Sequence, residues 1–128
     1  MMELVENKKE YWEFIRNLRN HPDVKTGFVF QDYISEEQQK AYMSKYGDCF
    51  YICLVDEKPA GYVGVIDKDI RLCTDPDFQG MGVGKYMINQ LMSLHPNAFA
   101  KVKIDNIASI KLFEKCGFKK SFYILEKK

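Results

Sequence analysis

The chain has 128 residues and a mass of 15.0 kDa, a size typical of one domain with one hydrophobic core, so we expect a single domain over residues 1–128. Its 46% hydrophobic, 14% aromatic and 29% charged residues exclude disordered, collagen-like and low-complexity proteins. Nineteen Lys and Arg against eighteen Asp and Glu leave a net charge of +1. The overall charge therefore favours neither nucleic acid nor an anionic membrane as a partner.

No stretch of the chain approaches the roughly 18 apolar residues that cross a bilayer, and the N-terminus lacks a basic segment followed by an apolar run. We therefore expect a cytoplasmic protein. Its four cysteines have no C-x-x-C pair and no nearby His. This pattern predicts reduced thiols, with neither a metal site nor a disulfide framework.

The N-terminal third predicts a short strand followed by two helices. Residues 3–5 have strand character, and apolar residues then recur at helical spacing until a helix ends near Asn20. Ser35, followed three residues later by Gln38, forms a capping-box pattern. That pattern predicts a helix over residues 35–46.

The middle of the chain predicts a hairpin, a third strand and a helix. Two β-rich runs, 49–55 and 60–66, flank a polar turn, and residues 70–74 supply the third strand. Four apolar residues at helical spacing predict the buried face of the helix that follows: Val83, Met87, Leu91 and Leu94.

The last third predicts a strand over residues 99–104, a helix over 106–116 capped by Gly117, and a final strand over 118–125. The element order is β-α-α-β-β-β-α-β-α-β. This order predicts an α/β (α+β) fold, a mixed sheet with helices on its faces.

A glycine-rich turn between the third strand and its helix, residues 79–85, is the most informative segment. Unpaired N–H groups at a helix N-terminus favour an anion. Its glycines permit positive φ and close approach to a diphosphate, and Lys85 adds a positive charge. The alternative is a tight turn without a ligand.

Two other phosphate loops do not fit. A P-loop needs four residues between its first Gly and Gly-Lys-Ser/Thr, but three separate Gly80 from Gly84, and Tyr86 follows Lys85. In the dinucleotide pattern G-x-G-x-x-G, counted from Gly80, the third glycine would fall on Lys85. These spacings argue against a nucleoside triphosphatase and against a nicotinamide or flavin enzyme.

The motif Gln/Arg-x-x-Gly-x-Gly/Ala is matched by Gln79, Gly82 and Gly84, and it resembles the pyrophosphate-binding motif of the GCN5-related N-acetyltransferase (GNAT) superfamily. Residues 106–118, Asn-Ile-Ala-Ser-Ile-Lys-Leu-Phe-Glu-Lys-Cys-Gly-Phe, resemble a second segment of that superfamily. The resemblance covers residues 50–125. It implies a GNAT-type mixed, mostly antiparallel sheet flanked by helices, with splayed central strands.

The resemblance also implies that the chain binds acetyl-CoA, with the diphosphate at the glycine-rich turn and the pantetheine arm along the third strand. The residues that it implies for cofactor binding are Leu72, Cys73, Thr74, Gln79, Gly80, Met81, Gly82, Val83, Gly84, Lys85, Asn106, Ser109 and Phe113. Asn106 also has the alternative role of a helix N-cap.

The implied reaction is direct attack of a neutral amine on the acetyl thioester, with no covalent acyl-enzyme, and it requires a base or an ordered water. Asp69 is the candidate base because relatives often carry Glu at this position; Asp67 is second, and both have the alternative role of solvated turn carboxylates. Phe113 stands where relatives often carry a Tyr that protonates the departing thiolate, so it cannot be a general acid. Water could suffice, and the alternative donors are Tyr51, Tyr62, Tyr123 and Cys116.

Phe28, Phe30 and Tyr33 are candidates for the acceptor pocket, with core packing as the alternative. A looser resemblance of residues 18–24 and 34–37 favours an amino group on a nucleotide-linked sugar as the acceptor, then a ribosomal or other protein N-terminus, then a polyamine. A homodimer could complete so short a chain's pocket. The alternative function is a non-catalytic acyl-CoA-binding module.

Overall fold

The computed structural model describes residues 1–25 and 32–128. Its described strands form one antiparallel sheet in the order β1-β2-β3-β4. The strands are β1 (Met2–Glu6), β2 (Phe50–Val55), β3 (Lys58–Ile66) and β4 (Asp69–Thr74). Two-residue turns join the last three strands, and both turns place non-glycine residues at positive φ, at positions 56–57 and 67–68. Positive φ at both residues matches the twist of tight hairpins, and the predicted hairpin is confirmed.

The helices lie between and after the strands: α1 (Trp12–Asn20), α2 (Pro22–Lys25), α3 (Glu36–Tyr46), α4 (Val83–Leu94) and α5 (Ile107–Lys115). The capping box predicted before α3 is present: Ser35 Oγ accepts from the Gln38 N–H, and the Gln38 side chain accepts from the Ser35 N–H. The predicted end of α1 at Asn20 is also confirmed.

Two cores cover the two faces of the sheet. On one face α4 buries Val83, Met87 and Leu91. On the other face α1 and α3 pack against β2 and β3, with Tyr62 fully buried. Gly61 lets α4 pack closely against β3, because a Cβ at position 61 would lie 3.0 Å from Met87 Cε. The sheet is thus covered by helices on both faces.

The predicted strand at residues 99–104 is wrong: only Phe99 pairs with the sheet, through an isolated parallel bridge to Asp69. The Ile70 N–H donates to the Phe99 carbonyl and the Phe99 N–H donates to the Lys68 carbonyl, both at 2.8 Å. After Phe99 the segment leaves the edge of β4, so no ladder of hydrogen bonds forms. The expectation of a mostly antiparallel sheet flanked by helices is confirmed.

The predicted final strand at residues 118–125 is also wrong, because the structure shows no regular element there and every residue from 119 to 128 is exposed. A strand needs a paired neighbour to satisfy its backbone groups. Leu94 was predicted to be buried but is 56% exposed, since it lies in the last turn of α4, beyond the sheet-covered stripe. No helix in the described ranges is long and apolar enough to cross a membrane.

Candidate active site

A rigid turn carries the chain from β4 to the glycine-rich segment. The Asp75 N–H donates to the Ala60 carbonyl at 2.8 Å, which extends the pairing with β3 by one residue. The Asp75 side chain then accepts from the Asp77 N–H at 2.9 Å and caps a 3-10 turn that Pro76 begins. The start of the glycine-rich segment is therefore fixed at the end of β4.

The glycine-rich segment has the geometry of an anion site. Gly80 and Gly82 both have φ of +81°, and Gly82 is the N-cap of α4. The first turn of α4 contains no acidic residue, and no side chain of the described residues caps it. Because the first hydrogen bond of α4 runs from the Tyr86 N–H to the Gly82 carbonyl, the three preceding N–H groups have no acceptor within the helix.

The surface over this turn is open. A Cβ placed on Gly80 or Gly82 would meet no described atom within 4 Å. Val83 is buried and anchors the turn in the core, whereas Met81 is half exposed and Lys85 is exposed. A group with negative charge can therefore reach the free N–H groups and the Lys85 ammonium from solvent.

Along the outer edge of β4, every second residue directs its backbone N–H and C=O groups away from β3. The Ile70 N–H points outward to Phe99, and the Asp75 N–H points inward to β3. Successive residues of a strand alternate in this direction, so Leu72 and Thr74 direct their N–H and C=O groups outward. Cys73 directs its own groups toward β3, and its side chain is buried, which raises the pKa of the thiol to about 12.

Asp69 lies at the opposite end of β4 from the glycine-rich turn. It is five residues from Thr74, or roughly 17 Å of extended strand. Its side chain is 14% exposed, and its Oδ2 accepts from Arg71 Nε at 3.2 Å. Its Oδ1 is buried and has no hydrogen-bond partner among the described residues. Asp67, by contrast, is exposed in the turn before β4.

Helix α5 brings the second sequence block beside the glycine-rich turn. Asn106 Oδ1 accepts from the Ser109 N–H at 3.2 Å, so the N-cap role of Asn106 is present. Leu112 packs against Gly84, where a Cβ would lie 2.7 Å from Leu112 Cδ2. Phe113 is buried in the core, edge-to-face with Phe118 at 5.1 Å.

The four alternative proton donors differ in their surroundings. Burial raises the pKa of Tyr62, and the charge of Arg19 opposes that rise. Tyr51 is half-buried and Tyr123 is 81% exposed. Burial also raises the pKa of the Cys116 thiol, against the opposing charge of Lys85. Lys85 belongs to the glycine-rich turn, so its charge links Cys116 to that turn.

Of the three residues predicted for the acceptor pocket, Phe28 and Phe30 lie outside the described residues. Tyr33 is 64% exposed, and its hydroxyl accepts from Arg16 Nη1 at 3.1 Å. The next residue, Ile34, exchanges two hydrogen bonds of 2.8 Å with the Asn20 side chain. Helix α1 therefore fixes the position of Tyr33.

Sequence reasoning missed two arginines. Arg16 is buried and bonded to Glu13, Tyr33 and Ile34, and its helical spacing from Glu13 was the available signal. Arg71 is bonded to Asp69. Residues two apart on a strand share a face, so a charged partner for the candidate base could have been found from the sequence.

Comparisons with known proteins agree with this geometry. The family model "Acetyltransferase (GNAT) family" matches residues 9–118. N-acetyltransferase 8B of Homo sapiens is 24% identical over 98 residues, 64% of this chain and 43% of that protein. The peptidyl-lysine N-acetyltransferase YjaB of Salmonella typhimurium is 27% identical over 71 residues, 54% of this chain and 49% of that protein. The chain thus spans less than half the length of either curated relative.

Among solved structures, spermidine N-acetyltransferase from Vibrio cholerae, in complex with CoA and spermine, matches with a TM-score of 0.84 and 19% identity, over 98% of this chain and 85% of that one. At this identity the likeness establishes the fold. The family model covers most of the chain. The chain therefore belongs to the GNAT acetyltransferase family.

Proposed function

We propose that this chain binds acetyl-CoA and transfers its acetyl group to a primary amine. The observation that carries the proposal is the uncapped N-terminus of α4, reached through two glycines at positive φ, directly after a strand with a free outer edge. The free N–H groups of residues 83–85 and the Lys85 ammonium fit a diphosphate. The outward backbone groups of Leu72 and Thr74 fit the amides of a pantetheine arm.

The same geometry supports one orientation of the proposed cofactor. With the diphosphate at the glycine-rich turn, a pantetheine arm that follows β4 leads toward its other end, where Asp69 lies. The acetyl thioester that acetyl-CoA supplies would then approach this carboxylate. Leu72 and Thr74 act as positioning groups, since each hydrogen bond to the arm fixes where the carbonyl carbon stands.

Asp69 is the proposed general base. The attacking ammonium must lose a proton before its nitrogen can bond to the acetyl carbon, and the Asp69 carboxylate, whose side chain is 14% exposed, can accept it. The new N–C bond forms as the C–S bond breaks, and the departing thiolate takes a proton from water, because Phe113 has none to give.

The two buried thiols, Cys53 and Cys73, do not support an acyl-enzyme. Burial raises the pKa of Cys53 to about 11 and that of Cys73 to about 12, so at neutral pH both are protonated and poor nucleophiles. The amine therefore attacks the thioester directly.

For the acceptor we propose a small molecule, with an amino group on a nucleotide-linked sugar first. A protein N-terminus or a polyamine is the alternative, and the V. cholerae relative holds a polyamine. We also propose a cytoplasmic location and a homodimer that completes the acceptor pocket.

Two measurements test the proposal. Titration calorimetry with acetyl-CoA is expected to show one site per chain, and CoA release in a thiol assay is expected with at least one member of a panel of amino sugars, amino acids, peptides and polyamines. Binding without thiol release from any amine would support the acyl-CoA-binding module. Absence of acetyl-CoA binding would contradict both functions.

A further inference from the structure

On one face of β4, the proposed base Asp69 forms an ion pair with Arg71 in which some hydrogen-bonding groups have no partner among the described residues. Asp69 and Arg71 point to the same side of the sheet, toward the core formed by α1 and α3. The two residues share one hydrogen bond, from Arg71 Nε to Asp69 Oδ2. A guanidinium has five N–H donors, and among the described residues none accepts from the Nη groups of Arg71. Asp69 Oδ1 has no partner there either.

Aromatic side chains lie on the same face of the sheet as Arg71. Arg71 pairs in register with Gly64, and Gly64 pairs with Phe50. Gly64 has no side chain, and a Cβ there would lie 2.6 Å from the Phe50 ring. Tyr42 of α3 lies beyond Phe50, with its ring tilted and its centroid 6.2 Å from that of Phe50. The Arg71 charge also opposes the rise that burial causes in the pKa of Tyr42, so the guanidinium lies near this ring.

The Arg71 guanidinium is nevertheless open to solvent, since its side chain is 40% exposed. A guanidinium that served only to neutralise Asp69 would be expected to form two parallel hydrogen bonds with the carboxylate. Here a single Nε contact leaves the Nη edge available. That edge is the part of a guanidinium that binds carboxylate or phosphate oxygens in pairs.

We propose that Asp69 and Arg71 together recognise an acceptor whose amine lies close to an oxyanion. The partly exposed Asp69 side chain binds the amine, and the Nη edge of Arg71 binds the oxyanion. Their Cα atoms are about 6.7 Å apart on the strand, so the two groups of the acceptor lie within one small molecule. This inference rests on the proposed function, and it sets the acceptor apart from simple polycations, which the Arg71 charge repels.

Two kinds of small molecule carry an amine close to an oxyanion. In an amino acid the oxyanion is a carboxylate, and in an amino-sugar phosphate it is a phosphate. The test uses matched pairs: glucosamine 6-phosphate against glucosamine, and an α-amino acid against its amide. Affinity for each amine is measured by calorimetry on the CoA-loaded protein, and kcat/KM by thiol release. We expect the anionic member of at least one pair to be favoured roughly 10- to 100-fold, the range for a charge-assisted contact. The pair with the larger ratio of anionic to neutral affinity shows whether the oxyanion is a phosphate or a carboxylate.

Arg71→Gln is expected to abolish the preference, and Arg71→Lys to retain part of it. Lys40→Gln removes one charge from the exposed face of α3 and is the matched control, expected to keep the preference. Acetyl-CoA affinity and the melting temperature of each variant verify its fold. Equal affinity for both members of both pairs, or an unchanged preference in Arg71→Gln, would overturn the inference. A preference in binding without thiol release from any amine would overturn the proposed function alone.

Discussion

A carboxylate placed at the glycine-rich turn should weaken CoA binding through its charge alone. Gly82→Asp introduces that carboxylate at the N-cap of α4, and Gly82→Asn introduces an amide of the same shape. A Cβ at this position meets no described atom within 4 Å, so neither side chain clashes with the protein. The φ of +81° destabilises both variants to a similar extent, since Asp and Asn tolerate the left-handed region better than most residues.

The difference between the two variants follows from Coulomb's law. At a separation of about 5 Å from a phosphate charge, repulsion amounts to about 3 kcal/mol at an effective dielectric constant of 20 and about 0.8 kcal/mol in bulk water. The turn is open to solvent, so the value lies between these limits. The CoA dissociation constant of Gly82→Asp should therefore exceed that of Gly82→Asn by about 4- to 150-fold.

Titration calorimetry with CoA at low and high salt measures this difference. The ratio of the two dissociation constants should shrink as salt increases, because ions screen exposed charges. Equal affinities of the two variants at low salt would refute the assignment of the diphosphate to this turn. A ratio insensitive to salt would show that the effect is not electrostatic.

Three further predictions concern the base, a helix cap and a buried thiol. Asp69→Asn should lower kcat by about 100- to 10,000-fold with CoA affinity unchanged, and an unaltered kcat in the thiol assay would exclude it as the base. Ser35→Ala should lower the free energy of unfolding by about 1 kcal/mol in urea titrations, whereas Ser44→Ala, on the exposed face of the same helix, should not; equal losses would argue against the cap. Burial raises the pKa of Cys73 from 9.0 to about 12, so its contribution to stability is complete below pH 9 and is lost as the pH rises toward 12. Unfolding free energy should then fall less steeply above pH 9 in Cys73→Ala, and parallel slopes would contradict this.

Elements set by local signals could be predicted from the sequence. The capping box from Ser35 to Gln38 spans four residues and fixes the start of α3, and Asn106 caps α5 in the same local way. The glycine-rich turn was also predictable, because glycine permits the positive φ found at Gly80 and Gly82 without steric cost.

Features that depend on distant partners could not be predicted. The apolar runs at residues 99–104 and 118–125 have strand composition, but a strand also needs a neighbour, and only Phe99 finds one among the described residues. In the same way, the sequence indicated Asp69 as a base but could not show which hydrogen-bond partners its two carboxylate oxygens have. This depends on Arg71 and on how the edge of β4 is covered.

The central claim is that CoA lies on the free N–H groups of the α4 N-terminus and along the outer edge of β4. Backbone amide chemical shifts measured by NMR during titration with CoA test it most directly. We expect large shifts for the amides of residues 82–85 and for Leu72 and Thr74, and small shifts for Arg71 and Cys73, whose N–H groups bond to β3. Unchanged amides at residues 82–85, or shifts without the alternation along β4, would contradict the claim.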